Sequence, residues 1–451
     1  MTDRTKTFEN EPVVKAVLKQ IAPATAAQMT ALLYNLADTW FVGLLNDPRQ
    51  TAAATVVYPS FIMLTAISNL FGVGGAAALA RALGRKEPDE AGNISAVSFW
   101  FGLIVSLVFA GVYTVFLDPV LTLCGATAET LPFCRGYALT AISLGGVFTA
   151  LSMLMSNLVR AEGASFAASF GLSAGGILNI ILDPFFILPR FLGMGVAGAG
   201  LATAVSNAAA AVLFLVLILR KGSVLSLSIK RLRPGLGRLG EVLKTGLPSA
   251  AQFLLTVVAI AAQARFVSKY PTAAVAGLGI TKKLDQLPIN FAIGVATGLL
   301  PLLAYNHAAG NEDRLKKCFR LGTGIALGFA LLCLAAYEAF APELARFFIK
   351  DKETVGYAAA FLRRMVVAMP LMSVCYPIII RFQAEGRVTA SLVCSILRKG
   401  VIDVPLLFLT DAIEPLYGLM WVQPIVDGIA LTAALLMLRN RRKAFAKKDG
   451  L

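Results

Sequence analysis

Apolar residues in this chain run in long blocks separated by short polar gaps. The blocks cover roughly residues 16–45, 52–80, 95–117, 132–158, 165–189, 196–219, 247–269, 273–305, 320–341, 355–380, 388–410 and 415–438. A helix that crosses the hydrocarbon core needs roughly 20 apolar residues, so each block predicts one membrane-spanning helix, twelve in all. The expected fold is an all-α integral membrane protein with short loops and tails.

Composition narrows the classes further. Of 451 residues, 57% are hydrophobic and 15% charged, and the mean hydropathy is +0.74, far above soluble domains. No large soluble domain fits beside the spans, which excludes an ordinary cytosolic enzyme and a transporter carrying its own nucleotide domain. Neither GxxxxGK[ST] nor HExxH occurs. The six cysteines (124, 134, 318, 333, 375, 394) lack metal-ligand spacing and read as apolar packing residues. The single histidine, His307, reads as a cap on span eight. The first twenty residues are polar and mixed in charge, unlike a cleaved leader, and read as a retained tail.

The formal charge of +15 becomes informative only through its distribution. If both ends and every second loop share one side, that side carries 27 Lys and Arg, among them Arg4, Lys86, Arg160, Lys230, Lys316 and Lys448. The other side carries seven: Arg49, Arg135, Arg190, Lys269, Arg346, Lys350 and Lys352. The positive-inside rule then places both termini in the cytoplasm, in a cell (inner or plasma) membrane. Basic residues scattered over many short loops do not form a nucleic-acid surface.

The chain also repeats itself. Pro23 precedes Asp38 by the same distance as Pro248 precedes Gln263, at an offset of 225, and Phe41-Val42 returns as Phe266-Val267. Gly84 pairs with Gly310, and Ala161-Glu162-Gly163 with Ala384-Glu385-Gly386. Each copy holds six spans, an even number, so the copies share one orientation and form a parallel repeat about the membrane normal. The expected organisation is an amino-terminal six-helix lobe at 1–219, a cytoplasmic linker at 220–246, a carboxyl-terminal six-helix lobe at 247–438 and a basic tail at 439–451.

Several of these segments carry a family resemblance. The stretch from Pro23 through Tyr34-Asn35-Leu36-Ala37-Asp38-Thr39-Trp40-Phe41-Val42-Gly43 resembles the opening helix of the multidrug and toxic compound extrusion (MATE) transporters. Arg160-Ala161-Glu162-Gly163 leading to Asn179-Ile180-Ile181-Leu182-Asp183-Pro184, and Pro301-Leu302-Leu303-Ala304-Tyr305-Asn306 with Gly310, are similar to later signatures of that family. The resemblance implies a secondary antiporter, not an enzyme. Embedded in the lipid bilayer, it would export small organic, often cationic, compounds against proton or sodium entry, with no cofactor, as a monomer.

The ionisable residues agree with that implication, because charge inside hydrocarbon is costly and marks a polar interior. Asp38 sits deep in the first block with Asn35 on the same helical face, and Asp183 sits in the fifth with Asn179 one turn earlier. Thr203 lies in a small-residue run of the sixth. These oxygens suit a small cation, and a carboxylate pair can instead hold a proton. The resemblance places ion coupling on Asp38, Asn179 and Asp183, where a sodium ion could be held, and on Thr203 and Asn157.

The second repeat has different chemistry. Gln263 replaces the acid at the position matching Asp38, and bases appear: Arg265, Lys282, Lys283, Arg398 and Lys399, beside Asp285 and Asp403. Two readings stand for this lobe: the acids neutralise neighbouring bases, or Gln263, Lys283, Asp285 and Arg398 line a substrate cavity. Aromatic residues including Tyr34, Trp40 and Tyr58 are further cavity candidates. A flippase for phosphate-bearing lipid-linked precursors is the alternative function, favoured by the bases and disfavoured by the acids of the first lobe.

Overall fold

The computed structural model describes residues 6–220 and 222–446, with backbone alone for 440–446. Arg4, Lys221 and Lys448, counted in the charge argument, lie outside the described residues, as does the end of the basic tail.

Twelve helical segments follow the twelve apolar blocks: α1 (Val13–Gly43), α2 (Pro48–Gly84), α3 (Pro88–Val115), α4 (Leu131–Leu144 and Gly146–Ala161), α5 (Ser165–Ile187) and α6 (Val196–Leu219). The second half repeats the series with α7 (Leu232–Val267), α8 (Thr272–Ala308), α9 (Glu312–Arg346), α10 (Lys352–Met365 and Ala368–Ala384), α11 (Val388–Arg398 and Asp403–Ile413) and α12 (Val422–Ala446). Eight helices are long and apolar enough to cross a membrane, and the bent pairs α4 and α10 raise the number to ten. The other two segments fall short for visible reasons. α1 carries Gln28, Tyr34, Asn35 and Asp38 in its length, and α11 is broken at Lys399-Gly400, where Gly400 takes φ +103°.

The repeat is written into the backbone. α4 and α10 occupy matching places and are each bent by 44°. Each ends in a turn whose glycine, Gly163 (φ +98°) or Gly386 (φ +72°), adopts the left-handed conformation that a side chain disfavours. The pairing of Gly84 with Gly310 is corrected here. Gly84 is the last helical residue of α2, whereas Gly310 (φ +74°) is the left-handed residue beyond the cap of α8. Its conformational counterpart is Lys86 (φ +65°). Residues 220–246 include a short helical turn, Ile229–Arg231, and the first turns of α7.

Helix starts follow capping chemistry. Asp47 accepts from the Arg49 amide at 3.0 Å with Pro48 at the first position of α2, and Asp351 accepts from the Thr354 amide at 2.8 Å before α10. The outward faces are apolar. On α5, Phe166, Phe170, Ile177, Ile181 and Phe185 recur every four or seven residues and are exposed, as a lipid-facing stripe requires, while Asn179 and Asp183 lie buried on the opposite side. Five cysteines are buried and Cys124 is half-buried, in keeping with packing roles.

The two lobes meet through α1, α2, α7 and α8 at the end that carries the termini. Gly294 and Gly298 of α8 let the α1 backbone approach so closely that an added Cβ would stand 2.6 Å from Thr25 Cα and 2.7 Å from the Gln20 carbonyl oxygen. Gly74 of α2 abuts the Val242 carbonyl and Gly246 of α7 abuts that of Leu70, each without room for a side chain. Arg314 donates to the carbonyls of Phe8 (2.7 Å) and Thr7 (3.2 Å), which fastens the amino-terminal segment over α9.

Candidate functional site

In the first lobe the structure brings three of the candidate polar residues together. Asn179 and Asp183 share a face of α5, and the Asn179 amide donates to Asp183 Oδ1 at 3.3 Å and to Thr203 Oγ1 of α6 at 3.4 Å. Thr203 in turn donates to the Ala199 carbonyl at 3.0 Å. The small residues of α6 make this possible, since Gly198 lies against the Phe186 carbonyl and draws α6 onto α5. Asp183 is 0% exposed and Asn179 2%. Pro184 follows the acid and offers no amide hydrogen, which leaves an α5 carbonyl without its usual helical donor.

Asp38 approaches this cluster from α1, close enough for its charge to act on Asp183. Two tyrosines complete the surroundings, Tyr34 of α1 and Tyr137 of α4, and Tyr137 feels both acids. The Tyr34 ring fits against α5 at Gly176, where a Cβ would come within 2.9 Å of it. Tyr137 was not among the candidates from sequence; a tyrosine within an apolar block carries no signal of its own. Three buried oxygens of the cluster, Asp38 Oδ1, Asn179 Oδ1 and Asp183 Oδ2, accept no hydrogen bond among the described residues.

The remaining first-lobe candidates stand apart. Asn35 turns back to donate to the Ala31 carbonyl of its own helix at 2.7 Å. Asn157 donates to the Met153 carbonyl at 3.1 Å and accepts from Arg160 at 3.4 Å. Neither makes a hydrogen bond to either acid.

In the second lobe the dominant feature is a buried ion pair. Arg398, 2% exposed, donates through Nε to Asp427 Oδ1 at 2.8 Å, and its guanidinium lies 3.8 Å from the Tyr376 ring centroid. Gln423 donates to the other Asp427 oxygen at 2.7 Å and accepts from Lys399. Asp427 was missed in sequence because it lies on α12, 29 positions from the arginine it balances. Asp403 accepts from the Gly400 amide at 2.7 Å and so closes the break in α11. Asp285 and Lys282 interact across one turn of α8, with Lys399 also in electrostatic reach. Gln263 donates to the Leu419 carbonyl at 3.4 Å, and Lys283 is exposed. His307 pairs with Glu312 across the turn after α8 at 3.1 Å.

Comparison with known proteins accords with this arrangement. The MatE family model matches twice, at residues 23–185 and 248–409, one match in each repeat. The multidrug export protein MepA of Staphylococcus aureus (strain MSSA476) is 30% identical over 440 residues, 96% of each chain. Among solved structures, a MATE crystallised in complex with MaD3S superposes with a TM-score of 0.91 at 25% identity, covering 99% of this chain and 100% of that one. An outward-facing multidrug resistance MATE transporter of the MOP superfamily gives 0.89 at 25% identity, covering 99% of each. With a two-lobed twelve-segment fold, a doubled family match and a multidrug exporter aligned along nearly its whole length, the chain belongs to the MATE family of efflux transporters.

Proposed function

We propose that this protein is a secondary antiporter that exports organic cationic or amphipathic compounds, driven by inward movement of protons or sodium ions that bind at Asp38 and Asp183. The observation that carries this reading is the set of three buried acceptor oxygens without donors, on Asp38, Asn179 and Asp183. A buried acceptor left unpaired costs about 1–3 kcal/mol. A proton on the acid pair, or a small cation among these oxygens, relieves that cost, and two carboxylates in close reach favour a positive guest. Asn179 then orients Asp183, and Thr203 supplies a further oxygen.

The positive-inside charge distribution supports placing both termini in the cytoplasm, so the glycine seam between the lobes closes the cytoplasmic end and the cleft opens outward. Ion binding from outside favours one arrangement of α1, α5 and α6 and release to the cytoplasm favours the other; substrate and ion must then oppose each other by equal factors. The flippase alternative gains no support from relatives named as multidrug exporters.

The test is substrate binding to purified protein across a pH series and a sodium series. Asp38→Asn and Asp183→Asn are expected to bind substrate yet lose the ion dependence of that binding and ion-driven efflux. Wild-type coupling in both variants would move the ion site elsewhere, with Asp285 and Asp403 as the next residues to change.

A further inference from the structure

On α8 the second lobe presents a cation, Lys283, that the pairing described above leaves out. On α8, Gly294 and Gly298 mark the face that touches α1 at the closed end. Lys283 precedes Gly294 by eleven residues, which at 100° per residue is three turns and about 20°, so it lies on that same face roughly 16 Å nearer the open end. α1 runs antiparallel, and eleven residues beyond Thr25 stands Leu36, with Trp40 one turn further. Backbones touch at Thr25 and Gly294, yet Lys283 is exposed, Leu36 is 39% exposed and Trp40 61%. The two faces have therefore parted. Tyr58 of α2 and Gln286 of α8 lie near enough to interact, so this stretch of α8 looks toward the first lobe.

Three of the neighbouring bases are engaged: Arg398 pairs with Asp427, Lys282 interacts with Asp285, and Lys399 donates to Gln423 with Asp285 in electrostatic reach. Lys283 has no ion-pair or hydrogen-bond partner among the described residues. A cation at membrane depth without a counter-ion is costly and marks a ligand path.

Building on the exporter reading above, we propose that Lys283 forms an anion subsite on the second-lobe wall of the cleft, which selects aromatic amphiphiles bearing a carboxylate. The neighbouring surface, Leu36, Trp40 and Tyr58 across the cleft and Leu287 one turn away, suits an aromatic body and, through the ring faces, a positive charge on it. A single ammonium offers a point charge rather than a fork of donors, which fits a monoanionic carboxylate better than a phosphate. The favoured cargo is thus zwitterionic: a cationic aromatic body facing the first lobe and a carboxylate on Lys283.

Rhodamine 19 and rhodamine 6G test this as a matched pair, since the first is the free acid and the second the ethyl ester of one cationic ring system. Fluorescence polarisation with purified full-length protein gives the acid-to-ester affinity ratio. Lys283→Gln is expected to lower that ratio about tenfold, worth roughly one pairing interaction. Lys283→Glu is expected to lower it further, and Lys283→Arg to keep it. Ester affinity held within about twofold in Lys283→Gln shows an intact cleft. A ratio unchanged in both Lys283→Gln and Lys283→Glu, or failure of the wild type to bind the acid, overturns the proposal. Ion-driven efflux of the ester by the wild type is a separate readout, and its loss with the Lys283 dependence intact counts against the exporter reading alone.

Discussion

Arg81 Nη2 lies 2.8 Å from Glu241 Oε1, and this pair ties the end of α2 to the start of α7 across the boundary between the lobes. The same guanidinium reaches Thr245 Oγ1 at 3.2 Å and the carbonyls of Gln383 and Ala384 at 2.9 and 3.3 Å, so one side chain clamps α2, α7 and α10.

Removing this clamp should weaken the closed end. Hydrogen bonds to charged groups contribute about 1.5–3 kcal/mol each, so Arg81→Ala should shift the equilibrium toward opening of the seam by about tenfold. A cysteine placed at Val242, fully buried in the seam, should then react faster with a water-soluble maleimide than in the clamped background that keeps Arg81. Glu241→Gln should have the smaller effect, because Thr245 and the two carbonyls keep their bonds. Equal reactivity with and without Arg81 would show that the glycine seam alone holds the end shut.

The Arg398 and Asp427 pair should be strongly non-additive. Removing one member strands the other and should cost about 3–5 kcal/mol, whereas replacing both with apolar residues of similar volume should cost far less. Thermal melts of Asp427→Asn, Arg398→Met and the double variant Arg398→Met with Asp427→Leu would measure this. Additive losses would mean that the two groups do not rely on each other.

Topology can be read with single cysteines. Replacements at Lys86 and Lys230 should label only with reagents that reach the cytoplasm, and a replacement at Lys350 should label from outside, because loop bases lie overwhelmingly on the first side. Reversed labelling would invert both the topology and the direction in which the cleft opens.

The spans, the repeat and the meeting of Asn179, Asp183 and Thr203 were legible because each leaves a local trace: an apolar block, a recurring offset, a polar residue where lipid forbids one. Tyr137 and Asp427 were not. Tyr137 joins the acid cluster through the bend of α4, a tertiary event with no local cue. Asp427 meets Arg398 only when α12 packs on α11, so sequence showed an unbalanced base where the fold has a neutral pair. The register slip at Gly84 has a similar origin, because identity of residue type matched two glycines that serve different backbone needs. Asn35 and Asn157 have the residue type that the site calls for, yet each side chain is taken up by its own helix.

The seam at Gly74, Gly246, Gly294 and Gly298 also bears on turnover. Because main chain faces main chain there, parting the lobes frees few long side chains and so releases little trapped rotamer entropy, and closing them confines little. The seam behaves as a hinge plate with low friction: two smooth surfaces that separate and reseat without repacking. Under that condition the balance between the two arrangements answers chiefly to removable charges, the clamp at Arg81 and the guests in the cleft, so occupancy by ion or cargo can tip a whole lobe.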